Sequence, residues 1–313
     1  MTTAKTGKTP GSLLRRRLAV LQRRANRLDP TLKGLLWVGL SGLLFVILNT
    51  IIRSLTLQMH PMQAQFLRYI SSVVIMLPLV LRSGLAAYVP HRIGGQFARG
   101  AMHTVGLIMW FTALPKIPLA DTTAIGFTGP IFIMLGAYLV FSEKMRWDRW
   151  LAALIGFAGV VIVVGPGLSG SVGGYGLLML AASPVFAASF LMTKALTRTD
   201  RAEVIVFWQA ISVSLFSLPL AIWFWAPLGA GQWLGFLLAG VFGVASHYCV
   251  TRGFAAADIS STQSVKFLDL VWSAGMGWLV FSEIPSRTTL IGGAVICSAT
   301  LWIAHREARR RLR

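Results

Sequence analysis

Apolar runs of about 20 residues recur along nearly the whole length of this 313-residue chain. Each run is long enough for a helix that crosses a lipid bilayer, and no stretch between them is long enough to form a soluble core. Only 12% of the residues are charged, about half the share found in soluble domains. The predicted fold class is therefore an all-α integral membrane protein. We expect about ten transmembrane helices, at residues 34–52, 61–81, 99–115, 119–141, 150–165, 174–194, 203–225, 232–251, 259–281 and 288–304.

The net charge of +19 is distributed unevenly along the chain. With the amino terminus placed in the cytoplasm, nearly all of the 29 Lys and Arg residues fall in the two tails and in loops on the cytoplasmic side. The opposite face holds only Arg53, Lys116 and Arg287, while Arg68 and Lys266 lie within spans. This is the positive-inside pattern, which predicts that both termini are cytoplasmic. The basic charge is explained by topology, and no nucleic-acid partner is predicted.

Two sequence matches point to an internal repeat. FLRYISSVVIMLPL (66–79) aligns without gaps on FWQAISVSLFSLPL (207–220), and LVFSE occurs at 139–143 and again at 279–283. Both pairs are separated by about 140 residues, and self-similarity at a fixed offset indicates repeated structural units. Because each unit holds five spans, an odd number, the second must enter the membrane upside down. Inverted-topology repeats of this kind are typical of secondary transporters.

The repeats set the predicted domain organisation. The first five-helix repeat covers 34–165 and the second covers 174–305, with a glycine-rich linker between them. The segments 1–33 and 306–313 are basic cytoplasmic tails, and the first is predicted to contain an amphipathic helix lying on the membrane surface. Cys249 and Cys297 fall inside spans, so we assign both to packing. No disulfide, metal site or cofactor is predicted.

The residues that carry a family resemblance lie in both repeats. They are ADTTAIGFTGPIF (120–132) running into LVFSE, LAALIGFAGVVIVVGP (151–166), and the second LVFSE with LIGGAVICSATLWIA (290–304). This pattern resembles the EamA-type members of the drug/metabolite transporter superfamily, over roughly residues 34–305. The resemblance implies transport across a bacterial-type inner membrane. Similar members export amino acids or drugs, or take up metabolites such as S-adenosylmethionine and riboflavin.

A lysine and an aspartate stand about halfway through the ninth span. Lys266 and Asp269 are charged where a lone charge costs about 2.5–3.5 kcal/mol on insertion scales, and positions i and i+3 share a helix face. We predict that a substrate's anionic group meets Lys266 and that any cationic group meets Asp269. The alternative is a self-neutralising ion pair with a structural role only.

The repeat offset pairs these charges with the fourth span. Lys266 corresponds to Gly126 and Asp269 to Gly129, which precedes Pro130. The fourth span would therefore offer closely approaching backbone, with a carbonyl freed by the proline, where the ninth offers charge. All three first-half residues are predicted to contact the substrate.

Three further residues are predicted to contact the substrate. Trp272, three positions beyond Asp269, is assigned to stacking against the substrate, and packing is its alternative. Arg68 is either a substrate contact or a side chain that extends to the outer membrane interface. Gln263 is a candidate ligand or an interhelical hydrogen-bonding residue.

Four titratable residues are candidates for gating or for proton coupling. His103 and His247 lie inside spans, and either could carry a coupling proton because imidazole titrates near neutral pH; a structural role is the alternative. Glu143 and Glu283 end the fourth and ninth spans. A carboxylate at a helix C-terminus opposes the helix dipole, so each is expected to have a cationic partner and to latch a gate.

The sequence therefore predicts a secondary transporter working by alternating access on a small polar or amphipathic metabolite, such as an amino-acid-like compound. The alternative is an importer of a nucleoside- or vitamin-like metabolite such as S-adenosylmethionine or riboflavin. A passive channel and an intramembrane enzyme are the rivals of other classes. No G-x-S-x-G or H-E-x-x-H motif is present, so enzymatic activity is not predicted. The expected partners are the substrate, membrane lipid and a coupling proton, with the oligomeric state left open.

Overall fold

The computed structural model describes residues 29–126, 128–143, 147–168, 173–266, 268–284 and 286–310. The amphipathic helix predicted in the amino-terminal tail lies outside these ranges. Within them the chain forms twelve α-helices and two short 3-10 turns, Leu85–Tyr88 and Leu114–Lys116. The helices are α1 (Pro30–Thr56), α2 (Pro61–Ser83), α3 (Ile93–Ala113), α4 (Leu119–Gly126), α5 (Gly129–Phe141), α6 (Trp147–Leu168), α7 (Gly173–Leu196), α8 (Ala202–Trp223), α9 (Ala230–Ala256), α10 (Ile259–Lys266), α11 (Leu268–Phe281) and α12 (Arg287–Arg310).

The helices account for all ten predicted spans. The fourth span contains α4 and α5, and the ninth contains α10 and α11, with residue 267 outside the described ranges. Six segments of the described chain are long and apolar enough to cross a membrane: α1, α2, most of α7, α8, α9, and α10 taken with α11. Shorter apolar stretches lie in α5, α6 and α12. The protein is an integral membrane protein with about ten transmembrane helices, as the sequence predicted.

Local signals fix several helix ends. The Asp29 carboxylate accepts hydrogen bonds from the backbone N–H groups of Thr31 and Leu32, and Pro30 follows at the first helical position. His60 and Pro61 start α2 in the same way. Side-chain caps satisfy N–H groups that have no partner inside the helix, and proline lacks an N–H to satisfy. Gly84 ends α2 with a φ of 83°, in a region that favours glycine.

The two halves interlock instead of packing as separate bundles. The most extensive helix contacts are α1 with α9, α6 with α12, α3 with α7, and α2 with α8. Every one of these pairs joins a helix of the first repeat to a helix of the second. A space between the halves is therefore lined by both of them.

The two LVFSE motifs have the same backbone conformation. Ser142 and Ser282 adopt left-handed φ values of 54° and 55° at the ends of α5 and α11. The next residue in each motif donates its backbone N–H to a carbonyl six positions earlier, Glu143 to Ala137 at 3.3 Å and Glu283 to Gly277 at 3.1 Å. Helices commonly end at a residue in the left-handed conformation, and the repetition of this ending shows that the sequence repeat is also structural.

One predicted boundary differs from the structure. The third span was predicted to begin at Arg99, but α3 begins six residues earlier, at Ile93. Arg99 is 1% exposed. One buried arginine does not end a helix when other helices supply its hydrogen-bonding partners. The helix therefore extends past the end of the apolar run that predicted the span.

Candidate substrate site

A cavity of about 190 Å³ lies between the two halves. It is lined by side chains from α1 to α5 of the first repeat and from α7, α9, α10 and α11 of the second. Nine of the twelve predicted site residues line it: Arg68, His103, Gly126, Gly129, Pro130, His247, Gln263, Lys266 and Asp269. The other three, Glu143, Trp272 and Glu283, do not.

Lys266 and Asp269 form an ion pair on one wall of the cavity. Lys266 Nζ lies 2.8 Å from Asp269 Oδ2. The carboxylate packs directly against Gly42 of α1, where any side chain would collide with Asp269 Oδ1. The ammonium lies 5.3 Å from the centroid of the Phe45 ring. The pair is thus held against α1 by a glycine on one side and by an aromatic ring on the other.

The wall formed by α4 and α5 presents little side-chain bulk. A Cβ atom added at Gly129 would meet no other atom within 4 Å, and one at Gly126 would only touch the Trp110 ring at 3.5 Å. Between the two helices, Thr128 donates its backbone N–H to Ile125 O at 3.1 Å. Pro130 follows at the start of α5 and has no N–H to donate. Exposed backbone therefore lines the cavity here.

Aromatic rings form the apolar part of the walls. Phe45, Trp110, Phe186 and Phe190 line the cavity, and the Trp110 and Phe186 rings meet edge to face at 5.8 Å between centroids. Such surfaces suit a flat ligand, because aromatic groups gain both from burial and from ring geometry.

Trp272 does not belong to these walls, so its predicted stacking role is not supported. It is 42% exposed on the outside of the bundle. The inward face of α11 continues from Asp269 to Ser273, which is fully buried and donates to the Asp269 carbonyl at 2.6 Å. Relative to Asp269, the side chain at i+4 is turned by about 40° to one side of the helix and the side chain at i+3 by about 60° to the other, so a face that includes Ser273 leaves Trp272 outside it.

Arg68 turns inward and does not extend to the membrane interface. It is 3% exposed, and its guanidinium lies 3.7 Å from the centroid of the Tyr69 ring. Tyr69 in turn contacts His103, with 3.0 Å between the phenol oxygen and Nε2. Nδ1 of His103 lies 3.0 Å from Ser189 Oγ. Both ring nitrogens of His103 are therefore in hydrogen-bonding contact.

His247 contrasts with His103. It lines the cavity at 3% exposure, and its Nδ1 has no hydrogen-bond partner among the residues that the structure describes. Its ring packs edge to face on Phe45 at 4.9 Å and lies 5.4 Å from the His103 ring. Gln263 also lines the cavity, but its amide nitrogen is committed to Ile259 O at 2.8 Å.

Arg99 is a buried polar residue near the site that sequence reasoning missed. It donates to Thr193 Oγ1 at 2.6 Å, to Gln209 Oε1 at 2.7 Å and to Ile205 O at 3.2 Å. These bonds tie α3 to α7 and α8. Arg99 is not one of the residues that line the cavity. The sequence held one signal for this contact. The repeat alignment placed Gln209, a polar residue inside α8, opposite Arg68, and such a residue needs a hydrogen-bonding partner.

Glu143 and Glu283 close opposite ends of the bundle. The Glu143 carboxylate, after α5, accepts hydrogen bonds from the backbone N–H groups of Ile259 and Ser260 at the start of α10, both at 3.2 Å. The Glu283 carboxylate, after α11, accepts from the Leu119 N–H at the start of α4, also at 3.2 Å. Each span therefore ends where its counterpart begins, so the two run in opposite directions.

The two carboxylates differ in the positively charged group that each one contacts. Glu283 Oε1 lies 2.6 Å from Arg53 Nη2, as the sequence led us to expect. Glu143 forms no ion pair within the described part of the chain; its partners are the N–H groups of α10 and the Ser260 hydroxyl at 2.6 Å. A helix N-terminus carries a partial positive charge and binds this carboxylate directly, while the Lys194 ammonium interacts with it without forming an ion pair.

These features define a helical membrane transporter with an internal site shared by two inverted halves. The chain belongs to the EamA-like transporter family, whose profile matches residues 32–165 and 174–304. It is similar to a riboflavin transporter of Rhizobium johnstonii, at 34% identity over 281 residues, 88% of this chain and 92% of that protein. It is also similar to an S-adenosylmethionine uptake transporter of Rickettsia prowazekii, at 26% identity over 278 residues, 89% of this chain and 94% of that protein.

A solved crystal structure has the same fold, with a TM-score of 0.69 at 19% identity, over 87% of this chain and 98% of the other. Together with the family match, the fold and the cavity identify the protein's activity as secondary transport of a small metabolite.

Proposed function

We propose that the protein takes up riboflavin, a flat and uncharged heterocycle with a polyhydroxylated side chain. The observation that carries this proposal is the combination of aromatic walls and an excess of cationic side chains in the cavity. The similarity to a riboflavin transporter at 34% identity supports it.

The charges of the site favour riboflavin over S-adenosylmethionine. The cavity is lined by the cationic Arg68 and Lys266 and by a single described carboxylate, Asp269. S-adenosylmethionine has a net positive charge at neutral pH, and like charges at short range in a poorly solvated site repel strongly. An uncharged or anionic ligand meets no such repulsion.

The Lys266–Asp269 pair is proposed to bind the polar side chain of the substrate. Hydroxyl groups both donate and accept hydrogen bonds, so the ammonium can donate to one substrate oxygen while the carboxylate accepts from a neighbouring hydroxyl. An anionic substituent would go to Lys266 and a cationic one to Asp269. The backbone around Gly126, Gly129 and Pro130 is proposed to contact the opposite side of the substrate.

Transport is proposed to follow alternating access, in which the halves rock around the site. Glu143 and Glu283 would act as the two gates, and His103 or His247 would carry any coupled proton. The distribution of basic residues supports an orientation with both termini in the cytoplasm, and the family resemblance supports a bacterial-type inner membrane. A reporter fused to the carboxyl terminus, active only on one side of the membrane, tests this orientation.

The function is tested with purified protein in liposomes. Radiolabelled riboflavin should enter saturably and should be displaced by excess unlabelled riboflavin, whereas S-adenosylmethionine at the same concentration should not compete. Runs with and without an inward proton gradient report coupling. Saturable uptake of S-adenosylmethionine without uptake of riboflavin would show that the assigned substrate is wrong.

Two readouts of the same assay address the rival classes. A carrier shows counter-exchange, in which internal unlabelled riboflavin accelerates the entry of label, and a passive channel does not. Chromatography of the internal contents should recover riboflavin chemically unchanged; a modified product would indicate enzymatic activity.

A further inference from the structure

The cavity has a second polar wall whose cation has no carboxylate partner among the described residues. On the first wall, Lys266 is already paired with Asp269 at 2.8 Å. On the second, Arg68 is 3% exposed, and no carboxylate of the described chain forms an ion pair with it. An arginine stays charged in proteins, and a buried charge is costly unless it is paired or hydrogen-bonded. A ligand that brings hydrogen-bond acceptors would therefore stabilise the Arg68 charge.

The packing of Arg68 leaves one part of its guanidinium available. One face lies on the Tyr69 ring, 3.7 Å from its centroid. Gly243 of α9 packs equally closely, since a Cβ atom there would lie 2.7 Å from Nη2 and 3.0 Å from Cζ. With Tyr69 and Gly243 fixing its position, the planar group offers its edge, where the N–H groups form a fork suited to two neighbouring acceptors.

His247 adds an unsatisfied group to this wall. It is 3% exposed, lines the same cavity as Arg68, and has no hydrogen-bond partner for Nδ1 within the described residues. The nearby His103, by contrast, uses both ring nitrogens, on Tyr69 and Ser189. Buried polar groups in proteins are normally hydrogen-bonded, so an unpartnered ring nitrogen on the same cavity wall as a cation without a carboxylate partner indicates a binding surface.

We propose that Arg68 and His247 form a subsite for the carbonyl edge of a flat heterocycle, separate from the Lys266–Asp269 pair. This inference rests on the proposed uptake of riboflavin, whose pyrimidinedione ring presents two carbonyl oxygens on either side of an N–H. Arg68 donates to a carbonyl oxygen, His247 bonds the adjacent edge, and the aromatic walls hold the ring system. The polar side chain then extends toward Lys266 and Asp269.

The test is riboflavin binding to the purified full-length protein, followed by quenching of riboflavin fluorescence. Arg68→Met should weaken binding about 10- to 100-fold, the range for a hydrogen bond to a charged group, and His247→Phe about 3- to 10-fold. Gly243→Ala keeps both side chains but displaces the guanidinium, and it should weaken binding about 5-fold. Arg68→Lys keeps the charge and loses the fork, so it should restore only part of the affinity.

The matched control is Arg99→Lys. Arg99 is equally buried but is hydrogen-bonded to Thr193, Gln209 and Ile205 and does not line the cavity. This substitution should lower the melting temperature and leave riboflavin affinity within about 2-fold. Thermal unfolding of every variant separates misfolding from loss of binding.

A second ligand makes the assignment specific. In 4-thioriboflavin a sulfur, a weak acceptor, replaces one carbonyl oxygen. Wild type should bind it less tightly than riboflavin, and Arg68→Met should bind the two equally, because the coupling between two contacting groups vanishes when one is removed. If the wild type binds riboflavin and folded Arg68→Met binds it as tightly, the subsite is overturned and the function stands. If the wild type does not bind riboflavin, both are overturned.

Discussion

The span formed by α4 and α5 and its counterpart formed by α10 and α11 are alike at their ends and unlike in their middles. Both finish with the same left-handed serine, at φ values of 54° and 55°, followed by a glutamate that binds the start of the other span. At mid-height the first has Gly126 and Gly129, and the second has Lys266 and Asp269. Symmetry is kept where the halves must fit together and is lost at the proposed substrate site.

This difference separates two roles that a repeated sequence can have. The matching ends form equivalent bridges between the two spans, and we propose that they are the two gates that alternating access requires. The cavity lies between the two halves. A symmetric site would therefore present the same groups twice to a substrate that lacks twofold symmetry. Divergence in the middle of one span is enough to make the two sides of the site chemically different.

The largest expected effect follows from removing the Lys266 ammonium, which has no counterpart in the span formed by α4 and α5. Lys266→Met should reduce transport by about 100-fold or more, since it deletes a charge-assisted hydrogen bond to the substrate, while membrane abundance is retained. Transport is measured as initial uptake rate and abundance by immunoblot.

The double variant Lys266→Met, Asp269→Leu serves as the control for stability. Replacing a buried pair by apolar groups is often neutral or stabilising, so this variant should be abundant and inactive. Uptake by Lys266→Met within 3-fold of wild type would assign the pair a structural role only.

A smaller effect should distinguish the two glutamates. Glu283→Gln removes the negative charge that the buried Arg53 pairs with at 2.6 Å, and two further nitrogens of that arginine have no hydrogen-bond partner in the described residues. Breaking a buried pair costs about 3–5 kcal/mol, which we reduce to about 2 kcal/mol because 27% of the Glu283 side chain is exposed.

Glu143→Gln keeps an oxygen that can accept from the α10 N–H groups, so it should lower stability by only about 1 kcal/mol. Melting temperatures of the two purified variants are compared directly. Equal shifts, or a larger one for Glu143→Gln, would remove the proposed difference between the two ends.

The smallest effect is expected on the first-half side of the cavity. Gly129→Ala adds one methyl group where the protein leaves open space, so the melting temperature should not fall. If the substrate approaches the backbone there, affinity should fall about 10-fold, the value of one methyl group in a tight pocket. Gly275→Ala, at another glycine with open space but away from the cavity, is the control and should bind riboflavin normally. Unchanged binding by Gly129→Ala would place the substrate on the charged wall alone.

Periodicity, length and repetition in the sequence were sufficient to predict the fold. Apolar runs predict spans because the bilayer core has a fixed thickness, and the repeated LVFSE predicts opposed halves because the number of spans between its copies is odd. The proximity of Lys266 and Asp269 also follows from the sequence, because the two residues are three positions apart within one span, at the adjoining ends of α10 and α11.

Contacts between helices could not be predicted in the same way. The inward face of α11 is set by its packing on α1, where Gly42 admits the Asp269 carboxylate, and this rotation excludes Trp272. The position of Arg68 depends on Gly243, which lies 175 residues away in the chain. Side-chain direction about a helix axis is decided by neighbouring helices, and one sequence without its relatives does not reveal those.

The two glutamate bridges are both formed in the same conformation. With these bridges as the proposed gates, a water-filled path across the membrane would require both to be broken at once, and for independent openings the probability of that event is the product of two small populations. Under this proposal, a cell that stores energy as an electrochemical gradient would be protected against proton leak through the protein without any dedicated plug.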